Sequence, residues 1–280
     1  MSVSIDSINQ LNVSLVGRFI YSCLRYRRKT VTNNIELVFG NTLPKVQKIH
    51  LAKAFYSHLA TSMKEMVQLR FMTEEKLREC VEVRGKEHML ATVAQNRGVL
   101  VLTGHFGNWE FAPIGGIASF KEFQGQFHFI RRTLNNKTIE RFLFRRYYRA
   151  GLQVIPKKNS LHQVCDVLEQ NHAVIFVLDQ HAMIENRDGI AVEFFGKKAG
   201  TYRSLASFSR HSGVPVIPAA SYRLDNGRHV LEFYEPIQWQ DYGSTQESLY
   251  RNTLAYNQAL ERMILAHPEQ WLWLHKRWKL

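Results

Sequence analysis

A histidine and a glutamate stand five residues apart in Thr103-Gly104-His105-Phe106-Gly107-Asn108-Trp109-Glu110. An imidazole with one ring nitrogen held by a carboxylate can take a proton from a hydroxyl with the other. His105 is therefore a candidate general base, and Glu110 the candidate catalytic carboxylate that turns it and stabilises its charged form. The alternative is a structural histidine that a nearby acid satisfies. A second candidate group, Asp179-Gln180-His181, closes another apolar run. If the two runs are neighbouring strands, Asp179 and Gln180 face the cleft of His105 and are candidate substrate contacts. Otherwise they are a strand-end cap. Metal binding by His105, Glu110, Asp179 and His181 is the rival chemistry, but the spacing offers no close His pair or Asp cluster. No metal and no cofactor are expected.

Basic residues form the next pattern. Lys137, Arg141, Arg145 and Arg149 recur every four residues, with Arg131, Arg132 and Arg146 nearby and Glu140 as the acidic exception. Arginine forks match phosphate geometry, although a solvated helix face would look the same. Gly196 to Arg203 reads as a glycine-bearing basic loop before a helix that Thr201 would cap, with Arg203 near its anion-attracting start.

These residues need a scaffold, and the chain alternates apolar runs with amphipathic stretches from residue 81 onward. Strands are expected at Val81 to Val83, Val99 to Thr103, Phe127 to Ile130, Val154-Ile155, Ala173 to Leu178, Val214 to Ser221 and His229 to Tyr234. Helices are expected at Glu87 to Gln95, Lys137 to Arg149, Leu161 to Glu169, Tyr202 to His211 and Glu247 to Ala266. Such alternation specifies an α/β fold: a mostly parallel sheet flanked by helices on both faces. Strand ends in such sheets are where ligand sites form, so His105 and Asp179 fall at expected places. Ahead of this lies an N-terminal helical region, including a long helix that starts at Thr42-Leu43-Pro44, with the proline in its first turn, and runs to about Leu69.

Within that region Leu11, Leu15, Phe19 and Cys23 recur every four residues, with Val16 and Ile20 beside them, and Arg25-Tyr26-Arg27-Arg28-Lys29 follows. An apolar face joined to a basic cluster suits a membrane interface; it equally suits a helix packed on its own domain. At the other end Trp271, Trp273 and Trp278 alternate with Lys276, Arg277 and Lys279, a pattern fit either for a bilayer surface or for closing the core.

The wording Gly104-His105-Phe106-Gly107-Asn108-Trp109-Glu110 resembles the H-x-x-x-x-[DE] motif of glycerolipid acyltransferases. It is most similar to that of the bacterial lipid A late acyltransferases, the lauroyl and myristoyl transferases of lipopolysaccharide synthesis. Val177-Leu178-Asp179-Gln180, Gly213-Val214-Pro215-Val216-Ile217-Pro218 and Trp271-Leu272-Trp273-Leu274-His275-Lys276-Arg277-Trp278-Lys279 agree in order, so the resemblance runs from about Arg25 to the C-terminus. It implies transfer of a fatty acyl chain from a thioester, on acyl carrier protein, to a hydroxyl of an anionic glycolipid, a lipid A precursor. It implies work at the cytoplasmic face of the bacterial inner membrane by a peripheral or monotopic protein. It also implies that Arg146 or Arg149 helps bind the acceptor phosphate or the carrier, and that Arg203 borders the site. The division expected is a membrane-associating helical region, residues 1–70, and an acyltransferase domain, residues 71–280, forming one compact unit. Family members usually carry a longer hydrophobic anchor than this chain does. An acyltransferase with another acceptor, such as a phosphatidylinositol mannoside, ornithine lipid or aryl polyene, is the nearest alternative. A membrane-binding relative without catalysis is the other.

Composition narrows the classes. The chain has 280 residues, is 45% hydrophobic and carries a net charge of +13, so it can bury a full core and should meet an anionic partner. No nucleic-acid motif accompanies the charge, and no nucleic acid is expected. Its 3 cysteines, Cys23, Cys80 and Cys165, show no zinc or CxxC spacing, which reads as reduced thiols. The absence of Gly-x-Ser-x-Gly argues against a serine hydrolase. No stretch is long and apolar enough for a span, and the start lacks the basic and apolar segments of a signal peptide.

Overall fold

The computed structural model describes residues 3–117, 120, 125–131, 144–157, 160–185 and 188–279. Nine strands are described: β1 (Val81–Arg84), β2 (Val99–Thr103), β3 (Phe127–Arg131), β4 (Leu152–Pro156), β5 (Ala173–Val177), β6 (Gly189–Phe194), β7 (Lys197–Tyr202), β8 (Val216–Arg223) and β9 (His229–Phe233). Seven build one sheet in the order β1-β9-β8-β2-β5-β3-β4. The run from β8 to β4 is parallel, and β9 turns back antiparallel on β8 through the Asp225-Asn226-Gly227 turn. The expected mostly parallel sheet is present.

Strand β2 shows why the sheet must be covered twice. Leu100 and Leu102 point into one apolar cluster, while Val99 and Val101 point into the other. Side chains alternate across a strand, so a continuous apolar run needs helices on both faces. The helices are α1 (Ile5–Asn9), α2 (Leu15–Phe19), α3 (Arg28–Phe39), α4 (Lys45–Leu69), α5 (Glu74–Glu79), α6 (Lys86–Val93), α7 (Phe111–Ile117), α8 (Ser160–Glu169), α9 (Ser204–Ser212) and α10 (Thr245–Ala266). Residues 144–149 are helical; the rest of the expected helix from Lys137, with Arg141, lies outside the described residues, as does Arg132.

The N-terminal helices share a core with the sheet. Ile8, Val31, Ile35 and Phe55 belong to the same buried cluster as Leu100, Trp271 and Trp273. Trp271 and Trp273 are almost wholly buried, so of their two expected roles the structure takes core closure. The indole of Trp273 donates to the Pro268 carbonyl, and a buried indole N–H requires such a partner.

One stretch departs from the sequence reading. Gly189–Phe194 and Lys197–Tyr202 pair as an antiparallel hairpin, where a basic loop was expected. Thr201 caps no helix. Its hydroxyl oxygen accepts from Arg277 and Asn257 in the interior, and α9 starts after Arg203 without a side-chain cap. The glycine-lysine composition concealed a strand whose partner is local and whose small residues, Ala199 and Gly200, are buried.

Among the described residues no helix is long and apolar enough to cross a membrane. The segment expected to be amphipathic forms α2 and a π-helical turn, Ile20–Leu24. Gly17 lies against Ser57 of α4, while Leu15, Val16, Phe19 and Leu24 face outward, Leu15 being 81% exposed.

Candidate active site

His105 follows β2 and Asp179 follows β5, and these parallel strands are neighbours with Thr103 paired to Val177. Two residues beyond that pair, both chains have left the sheet at the same edge, and the side chains meet. His105 Nδ1 lies 2.9 Å from Asp179 Oδ1, and the His105 backbone N–H donates to Oδ2 at 2.7 Å. The Trp271 indole donates to the same Oδ2 at 3.0 Å. Three donors thus hold a fully buried carboxylate. Burial alone would raise its pKa, but the charge and hydrogen bonds of His105, with the Trp271 bond, pull it down to about 2. For His105, burial works against the charged form, yet the Asp179 charge and hydrogen bond outweigh it and raise the pKa. With Nδ1 committed as a donor, the neutral ring presents a lone pair at Nε2.

The carboxylate beside His105 is therefore Asp179, where the local spacing pointed to Glu110. Asn108 explains the difference. It is fully buried, and its side-chain oxygen accepts from the backbone N–H groups of Glu110 and Phe111. That cap starts α7 and carries the chain away from the strand end. The Glu110 carboxyl has its pKa raised by burial, opposed by Arg70, and it acts on Tyr147.

Two glycines of the turn are required by close approach. A Cβ at Gly107, which has φ +53°, would come within 2.5 Å of the Ser221 carbonyl. A Cβ at Gly104 would stand 3.1 Å from the Asp179 carboxylate. Behind the turn sits a buried polar group. Asn108 donates to Glu65 Oε2, Arg223 pairs with Glu65 at 2.7 and 3.1 Å, and His58 meets the Gly107 carbonyl at 3.1 Å. The Glu65 carboxyl resists the upward push of burial and falls to about 2 through His229, Arg223 and Asn108. The C-terminal segment clamps the other side. Gly107 N–H donates to the Gln270 carbonyl at 2.9 Å, and Leu272 N–H to the His105 carbonyl at 3.0 Å.

His105 opens onto a cavity of about 970 Å³, also lined by Gln180 and Trp109. Its walls are largely apolar, with Val101, Pro113, Ile117, Phe127, Phe129 and Ile175, while Arg131, Lys157 and Arg203 bring positive charge to it. The structure thus brings His105, Gln180 and Arg203 to one space, with Asp179 buried directly behind His105. Arg146 and Arg149 are not among the lining side chains; Arg146 is tied to the Met72 carbonyl at 3.3 Å, and Arg149 is exposed. Helical periodicity put Arg149 on a basic stripe with Arg146 beside it, but could not tell which way that face turns. Lys157 went unnoticed because a lone lysine after a short strand carries no pattern. Among the described residues no three His, Cys, Asp or Glu side chains converge on a metal-holding site.

A buttressed imidazole beside an apolar cavity with cationic walls is equipped to activate a hydroxyl next to a lipid chain. The chain is 26% identical over 273 residues to the lipid A biosynthesis palmitoleoyltransferase of Escherichia coli (strain K12), covering 94% of this chain and 82% of that one. It is 24% identical over 266 residues to the lipid A biosynthesis lauroyltransferase of the same organism, covering 94% and 83%. It is also 22% identical over 222 residues to the phosphatidylinositol mannoside acyltransferase of Mycobacterium tuberculosis (strain CDC 1551 / Oshkosh), covering 77% and 66%. The family described as bacterial lipid A biosynthesis acyltransferase matches residues 6–280, and this chain, an acyltransferase, belongs to it.

Proposed function

We propose that this acyltransferase moves a fatty acyl chain from the thioester of acyl carrier protein to a hydroxyl of a lipid A precursor. The observation that carries the reading is His105, held through Nδ1 by Asp179 with Nε2 turned away from it toward Gln180, at an apolar cavity with cationic walls. The acceptor hydroxyl gives its proton to His105 Nε2 as its oxygen bonds to the thioester carbon. The carbonyl oxygen carries the negative charge of the tetrahedral intermediate. Its collapse breaks the carbon–sulfur bond, and the imidazolium returns the proton to the departing thiolate. Asp179 keeps the imidazole in the productive tautomer and stabilises the imidazolium. The apolar walls receive the acyl chain, and Arg203 and Lys157 face the anionic groups of the substrates. A net charge of +13 favours encounter with an acidic carrier and an anionic glycolipid.

The reaction takes place at the cytoplasmic face of the inner membrane. Leu15, Val16, Phe19 and Leu24 are exposed beside Arg18, Arg25 and Lys29, and the end of α4 adds exposed Val67 and Phe71, the latter 83% exposed. Apolar side chains set among cations suit an anionic bilayer surface.

The test is transfer by the purified protein from acyl carrier protein thioester to a lipid A precursor, read by mass spectrometry. A product heavier by one acyl chain supports the reading. Transfer to a phosphatidylinositol mannoside alone would favour the acceptor named for the mycobacterial relative.

A further inference from the structure

Outside the His105–Asp179 pair a second imidazole faces the same space. His275 lies on the C-terminal segment, with its ring centre 5.5 Å from that of His105. The amide nitrogen of Gln180 stands between them, 3.5 Å from His105 Nε2 and 3.5 Å from His275 Nε2. The segment carrying His275 is fixed from outside the sheet. Buried Asn34 of α3 donates through its amide to the carbonyls of Trp273 at 2.8 Å and of His275 at 2.7 Å. Arg27 adds a bond to the Leu274 carbonyl at 3.2 Å.

We propose that His275 is a positioning residue for acyl transfer: its Nε2 accepts one N–H of the Gln180 amide and so aims the other at the place where the reacting oxygens gather beside His105. This rests on the general-base reading of His105. An amide has one accepting and one donating end. Left alone, Gln180 can present either end to the substrate, and only the donating end stabilises a developing oxyanion. A neutral His275 with its proton on Nδ1 selects the donating end. A protonated His275 is itself a donor at Nε2 and selects the opposite one.

The groups facing His275 are His105, Asp179, Arg27 and Lys279; burial together with His105 lowers its pKa, and Asp179 opposes them. His275 therefore titrates below the ordinary histidine range and His105 above it. The acid side of the kcat/KM profile, which reports the free enzyme, should bend twice, first as His105 takes its proton and again, at lower pH, as His275 does.

The experiment compares wild type, His275→Phe, His275→Gln and His105→Ala in acyl transfer from the carrier thioester to the lipid precursor, with circular dichroism as the folding control. Removing an oxyanion donor outright costs about 100- to 1,000-fold, and misaiming one should cost less, so His275→Phe is expected to lower kcat about 10- to 100-fold with KM little changed. His275→Gln, whose amide oxygen can accept, should recover much of that loss and remove the lower bend. Wild-type kcat in folded His275→Phe, or a lower bend that persists in His275→Gln, overturns the proposal. An inactive His105→Ala beside a fully active His275→Phe discards the role of His275 alone, whereas an active His105→Ala discards the general base as well.

Discussion

Replacing Asp179 by asparagine keeps the shape of the side chain and removes its charge. The geometry fixes where the new amide must point. The His105 backbone N–H and the Trp271 indole both donate to Oδ2, so the asparagine oxygen takes that position. Its NH2 group then faces His105 Nδ1, at the place Oδ1 held 2.9 Å away. Nδ1 can meet a donor only by accepting, so the imidazole proton moves to Nε2 and the lone pair that the proposed mechanism uses is gone. The imidazolium also loses its counter-charge. Loss of a general base typically costs about 100- to 10,000-fold, and Asp179→Asn is expected to fall in that range although His105 remains. The pH dependence follows with a definite sign. The carboxylate raises the His105 pKa against burial, so its removal lets burial lower the pKa. The acid limb of whatever rate remains should therefore move to lower pH. The assay is carrier-to-lipid acyl transfer from pH 5 to 9, with thermal unfolding as the control for folding. Turnover equal to wild type in a folded Asp179→Asn protein would refute the tautomer argument, and Glu110→Gln failing more severely than Asp179→Asn would return the orienting role to Glu110.

Other perturbations test the support around the site. The Glu65 pKa falls from 4.5 to about 2, so its stabilisation is complete above pH 4.5 and lost as pH falls toward 2. Glu65→Gln is expected to cost about 3 kcal/mol near neutral pH and to flatten denaturant stability between pH 4.5 and 2; a pH curve parallel to wild type would count against it. Gly107→Ala must fit a methyl within 2.5 Å of the Ser221 carbonyl at positive φ, and a loss of roughly 1–3 kcal/mol in unfolding free energy is expected. Lys157→Glu with Arg203→Glu should raise KM for the anionic substrates and weaken its salt dependence, and unchanged kinetics would leave these cations without a substrate role. Phe19→Glu with Phe71→Glu should reduce cosedimentation with anionic vesicles while sparing the fold, since both side chains are exposed; undiminished binding would move the bilayer contact elsewhere.

The sheet was legible in the sequence because its signal is local and repeated. Val99 to Thr103 and Ala173 to Val177 are apolar on both faces, as strands covered twice must be, and the chain leaves each with a titratable residue two positions on. His105 could be singled out on that ground alone. Its partner could not. Sequence distance favours Glu110, five residues away, over Asp179, seventy-four residues away, but parallel pairing of β2 with β5 brings the distant carboxylate to the imidazole and the Asn108 cap turns the near one aside. The same limit hid Gln270, Trp271 and His275, which reach the site only when the C-terminal segment folds back across the turn. It also left Trp271 and Trp273 undecided between bilayer and core. Periodicity tells which residues share a face, because neighbours a turn or a pleat apart are fixed by backbone geometry. Which faces meet depends on strand order and on the packing of distant segments, and no local pattern encodes that. Here the family motif and its histidine are read from the sequence, while the carboxylate that meets His105 is decided by the pairing of β2 with β5 in the tertiary structure.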